Sequence, residues 1–91
     1  MYISTTKVKE VFEKHDSGKV EEKKVSDLSL TVNCGEDLFG NKWTQILFTK
    51  GTKDLGMLFK VSDSRTNTLY TAECFNDEYR TEFENSIKLA A

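Results

Sequence analysis

Proline is absent from this chain, histidine and tryptophan occur once each, cysteine twice, and the five glycines stand singly. Each scarcity removes a class of chemistry. An enzyme needs groups that titrate near neutrality, and a lone histidine, His15, leaves little from which to assemble an acid–base or nucleophilic site. No third group orients His15 toward either thiol, so a Cys–His nucleophilic pair is not supported. Cys34 and Cys74 lie too far apart in sequence for the paired spacing of a zinc site and lack further ligands. Isolated glycines (Gly18, Gly35, Gly40, Gly51, Gly56) cannot form a phosphate-cradling loop. No apolar run approaches the roughly 20 residues that cross a bilayer, so no membrane association is expected. The start, Met1-Tyr2-Ile3-Ser4, has no signal-peptide core, and no Asn-x-Ser/Thr acceptor occurs. Two unpaired thiols then fit a reducing, cytoplasmic setting.

Charge of one sign is missing as well. The formal charge is −2, from 13 Lys and Arg against 15 Asp and Glu, which lacks the basic excess of a duplex DNA binder. The balance is uneven along the chain. Residues 1 to 26 carry six lysines against five acids, and residues 67 to 91 carry five acids against Arg80 and Lys88.

What is present is one modest core. A chain of 91 residues with 37% hydrophobic content buries only about 60 to 65% of its unfolded surface, which suits a single domain, residues 1–91. The organising stretch runs from Leu55 to Leu89, where a period-two apolar pattern passes into a period-3.6 pattern with no proline between them. It predicts a β-hairpin, Leu55–Val61 with Leu69–Phe75, roofed by a C-terminal helix.

Earlier in the chain, Val8, Val11, Phe12 and His15 form one stripe of an amphipathic helix over residues 5 to 15. Ser4, Thr5 or Thr6 can cap its start, and Gly18 offers a left-handed position after its end. Lys19–Ser26 suits neither period and reads as a charged connector or ragged edge strand. Leu28, Leu30, Val32 and Cys34 alternate cleanly as a half-buried strand. Trp43–Lys50 is a further strand with apolar residues on both sides, which predicts a central strand covered on both faces. Leu55, Met57, Phe59 and Val61 share one side of the next strand by strict alternation. Asn76 caps the closing helix, whose core side is Tyr79, Phe83, Ile87 and Ala90. The expected fold is therefore α+β, with an antiparallel sheet of about four strands and a helix from each end of the chain packed on it (α-β-β-β-β-α).

Two binding surfaces are legible. Leu38, Phe39 and Trp43 surround a turn and offer anchors for a protein partner, unless Leu38 and Phe39 tuck under the sheet as a hydrophobic plug. Asp77, Glu78, Glu82 and Glu84 give the closing helix an acidic side that suits a partner with a basic surface. A second reading is single-stranded nucleic acid on the sheet, with Trp43 and Tyr70 stacking on bases and Lys42, Lys50, Lys53 and Lys60 following the phosphates. Asp63-x-Arg65-x-Asn67 resembles the start of a calcium loop, but Arg65 occupies a ligand place and Cys74 stands where the bidentate glutamate belongs. No metal or cofactor is expected. In size and composition the chain is similar to small phage-encoded proteins that bind and modulate a host or defence protein. A non-catalytic protein-binding module that acts as an inhibitor by occlusion is the leading expectation. Strand pairing at a sheet edge leaves a homodimer open.

Overall fold

The computed structural model describes residues 4–63, 65 and 67–91. Helix α1 (Thr5–His15) is followed by β1 (Glu21–Val25), β2 (Leu28–Glu36), β3 (Lys42–Lys50), β4 (Lys53–Ser62) and β5 (Thr68–Cys74). A 3₁₀ turn (Asp77–Tyr79) then leads into α2 (Arg80–Ala90). The strands form one antiparallel sheet in sequence order, with β3 central. The α+β architecture with a helix from each end is the expected one, with five strands where four were expected. The added strand, β1, falls in the stretch read as a charged connector or ragged edge strand, and it is an edge strand. It pairs with β2 through a two-residue turn in which Ser26 takes a left-handed φ of 60°, the conformation such tight hairpins demand. Lys23 faces the helices from β1, where its Nζ donates to the His15 carbonyl at 3.2 Å and closes the C-terminus of α1.

Both helices lie on one face of the sheet. Leu28, Leu30 and Val32 from β2, Ile46 and Phe48 from β3, and Leu55 and Leu58 from β4 are buried there with Val8, Val11 and Phe12 of α1 and Phe83, Ile87 and Ala90 of α2. The helical stripes inferred from spacing are the buried ones, except that Tyr79 lies in the 3₁₀ turn before α2 and is only partly buried. Strand β3 is central as expected, but it is covered on one side only. Strict alternation also fails at β4. The β3–β4 register shifts between Phe48 and Thr49, and the extra residue, Leu55, is fully buried in the core. A bulge re-aims a side chain in just this way, so Leu55 leaves the side occupied by Met57, Phe59 and Val61.

The ends of the helices are fixed individually. Ser4 is the N-cap of α1, but its hydroxyl makes no capping bond. The helix closes at Asp16, and Gly18, with φ of 74°, lies beyond it and donates its N–H to Asp16 Oδ1 at 3.1 Å. Asn76, expected to cap the closing helix, caps the 3₁₀ turn before it, its Oδ1 accepting from the Glu78 N–H at 3.0 Å, and α2 itself starts after Tyr79 with no side-chain capping bond. His15 is 6% exposed, with Nε2 2.8 Å from the Ala90 carbonyl oxygen. A carbonyl can only accept, so Nε2 carries the proton and ties the end of α1 to the end of α2.

Phe83 should be the most sensitive core position. Phe83→Ala is expected to lose about 3 to 5 kcal/mol in urea unfolding, as large-to-small core changes do, and a loss below about 1 kcal/mol would contradict this packing. Gly56→Ala should also destabilise, because an added Cβ would collide with the Glu73 carbonyl oxygen and the Phe83 ring.

Desolvation by burial lowers the pKa of His15 below its ordinary 6.5, outweighing the bond to Ala90, with Lys23 and Lys14 pushing the same way. The folded state therefore favours neutral imidazole. Its contribution to stability is complete above about 6.5 and erodes as pH falls through the lower folded value. The thermal midpoint should fall between neutrality and mildly acid pH, ahead of any carboxylate effect, and a His15→Gln chain should lose that slope.

Candidate functional site

Two hairpin loops, β2–β3 and β4–β5, lie at the same end of the sheet, since Glu36 pairs with Lys42, Lys42 with Ser62, and Ser62 with Thr68. They share one frame, Asp-x-x-x-Asn. In the first, Asp37 Oδ1 accepts the backbone N–H groups of Phe39 and Asn41, each at 2.9 Å, and Oδ2 accepts the Asn41 side-chain amide at 2.9 Å. In the second, Asp63 Oδ1 accepts the N–H groups of Arg65 at 2.8 Å and Asn67 at 3.1 Å, and Oδ2 accepts the Asn67 amide at 3.3 Å. Each aspartate N–H also donates to the matching asparagine carbonyl. An aspartate that accepts several N–H bonds closes a turn without help from the core. The Asn41 side-chain and backbone bonds hold the Asp37 carboxyl below the usual range, with Phe39 adding to them. The Arg65 amide does the same for Asp63, reinforced by Asn67.

At the tip of the first loop Leu38 is 100% and Phe39 88% exposed. The plug under the sheet does not form. Gly40 supplies the positive φ of 81° that returns the chain to β3.

Trp43 follows on the face of the sheet that no helix covers. Its ring lies over Gly35 and stacks on Phe59, with centroids 6.1 Å apart and planes 19° apart. The middle strands add Ser29, Thr31, Asn33, Gln45, Leu47, Thr49, Met57 and Val61 to this face, and Asp54, opposite Thr49 at the start of β4, is their one charged residue there. Gln45 bridges the patch, accepting from Asn33 Nδ2 at 3.4 Å and donating to Met57 Sδ at 3.0 Å. Leu69 on β5 is 62% exposed beside Val61. Trp43, Leu47, Met57, Phe59, Val61 and Leu69 all lie outside the core cluster and outside the side chains packed against it.

The acidic side chains of the closing helix do not form one surface. Glu82 and Glu84 flank the buried Phe83 on either side, and at about 100° per residue they point to opposite sides of α2. Glu82 is held between Lys50 at 3.5 Å and Lys53 at 3.4 Å, and Asp77 pairs with Arg80 at 2.8 Å. Glu78 is exposed beside them in the 3₁₀ turn.

The nucleic-acid set is split between the two faces. Trp43 is on the open face. Tyr70 packs on Phe12, with centroids 5.8 Å apart, on the helix side. Lys60 pairs with Asp16, which also accepts from Thr44, and its Nζ lies 5.4 Å from the Phe12 ring centroid. Burial alone would raise the pKa of Asp16, but the Lys60 and Gly18 hydrogen bonds outweigh it and hold it low. Lys53 lies 5.4 Å over the Tyr79 ring, and Lys42 lines a groove with Asp16 and Cys34 beyond the end of α1.

Both thiols are free and partly buried on the helix side. Among the described residues no group of three or more His, Cys, Asp or Glu side chains is placed to hold a metal, and no helix is long and apolar enough to cross a membrane. The paired Asp-x-x-x-Asn loops are the feature missed in reading the sequence, although the signal is printed twice in it. Comparison with protein-family models, curated proteins and solved structures finds no match for this chain.

Proposed function

We propose that the chain is a non-catalytic protein-binding module that inserts the Leu38–Phe39 tip into an apolar pocket of a partner protein and occludes it. The observation that carries this reading is an almost fully exposed Leu-Phe pair on a loop already fixed by Asp37. A side chain of that size gains about 1.5 to 3 kcal/mol when water is removed from it. A loop that is ordered before binding loses little further freedom in the complex. The absence of catalysis is supported by the use of the single histidine as a clasp between helices.

The tip takes precedence over the acidic helix as the contact surface, because Glu82 and Asp77 are already neutralised by neighbouring cations. A modulator of the phage-encoded type, working in the cytoplasm, accords with this mode of action and with two free thiols. Trp43 stacked on Phe59 is what favours single-strand binding. The lysines that reading needs face the helices instead.

The test is affinity capture from lysate of the source cell with wild-type and Phe39→Ala chains, before and after nuclease treatment, followed by binding measurements on the partner recovered. Phe39→Ala should weaken the complex by at least about 2 kcal/mol, roughly 30-fold, as loss of an anchor does. The unfolding midpoint should not move, because the ring touches no core. Asp37→Ala should weaken binding in the same direction by releasing the loop. Equal capture by wild type and Phe39→Ala would remove the tip from the interface, and loss of all partners with nuclease would favour nucleic acid.

A further inference from the structure

No helix covers the second face of the sheet, which is distinct from the hairpin tip. We propose that it is the interface of a homodimer, in which two copies stack sheet on sheet with their helices outward.

The composition of the face fits a self-association surface. In a chain with 31% charged residues, β2, β3 and β4 place Trp43, Leu47, Met57 and Phe59 there among uncharged polar neighbours. Interface cores are marked by this loss of charge together with enrichment in aromatics and methionine. A two-fold interface brings a patch against itself, so any net charge on the patch would repel. Here the charges lie at the margins of the face and have both signs, Glu22 and Lys24 on β1, Glu73 on β5 and Asp54 at the start of β4. Asn33 and Gln45 carry donors and acceptors side by side at the centre, so a second copy can answer each with its opposite.

The size fits as well. Five strands about 4.8 Å apart and five to ten residues long make a sheet face of roughly 630 Å² per copy. This lies within the 36 × 26 Å footprint of the molecule. Both copies together would bury about 1,300 Å², at the lower end of the range of stable specific interfaces. Facing sheets pack about 10 Å apart with their side chains interdigitated. Nucleic acid on the same face would need cations around the aromatics, and the middle strands supply none there.

Trp43 is the only tryptophan, so its emission reports on this face without a label. Sedimentation equilibrium of the full chain, from micromolar to near-millimolar concentration, should give twice the 10.4 kDa chain mass at the upper end, with Trp43 emission moving to shorter wavelength as the dimer forms. Leu47→Glu and Thr31→Arg each place a charge at the centre of the face. Both should remain at single-chain mass where the wild type is dimeric, with the far-ultraviolet circular dichroism of the wild type. Thr31→Arg decides the matter if Leu47→Glu fails to fold. Phe39→Ala should keep the dimer mass, which separates this surface from the partner-binding tip. Single-chain mass throughout with unchanged emission would overturn the proposal, as would a doubled mass that survives both substitutions. Salt-sensitive quenching of Trp43 by an oligothymidylate, with no doubled mass, would overturn it in favour of nucleic acid.

Discussion

Phe83 lands on the one position of β4 that has no side chain. Its ring lies where a Cβ of Gly56 would be and meets Phe48 edge to face, with centroids 5.6 Å apart and planes 88° apart. A larger residue at position 56 would lift α2 off the sheet. From this contact the other placements follow. With α2 held down, Ala90 presents its carbonyl to His15, which fixes the end of α1, and Lys23 closes that end from β1. The helices are thereby committed to one side, and the bulge at Phe48/Thr49 turns Leu55 toward the same side. The opposite face is left to solvent or to a partner.

The parts legible in the sequence were those whose periodicity is set by burial on one side. Val8, Val11, Phe12 and His15 on α1, and Phe83, Ile87 and Ala90 on α2, are spaced as a single core-facing stripe must be. Strand β1 was legible only as one of two alternatives, a ragged edge strand or a connector, for two physical reasons. Its charged side chains lie at a sheet edge and follow no apolar alternation, and Ser26 holds the left-handed turn position where glycine would have marked a hairpin. Leu55 escaped because a bulge breaks the period of two on which strand reading depends.

The covering of β3 was misread for a deeper reason. Trp43 and Leu47 look as apolar as Ile46 and Phe48, and hydropathy records a preference to leave water without saying what takes water's place. Apolar residues on both sides of a strand are equally compatible with two layers of the same chain and with one layer plus a partner. In a chain this small, two helices suffice to cover only one face of a five-stranded sheet.

The two hairpin loops provide an internal control on the meaning of Phe39. Phe39 and Arg65 occupy the same place in the Asp-x-x-x-Asn frame, and each gives its backbone N–H to the leading aspartate at nearly the same distance, 2.9 and 2.8 Å. The frame therefore works with a polar residue in that place as well as with an aromatic one. Nothing in the loop's own hydrogen bonding calls for a phenylalanine, and no core contact rewards it, since the ring is 88% exposed. An apolar side chain that folding neither requires nor buries is the observation on which the proposed binding role of the tip rests. The same reasoning does not extend to Trp43, whose ring covers Gly35 and stacks on Phe59 within the sheet and so serves the folded chain before any partner arrives.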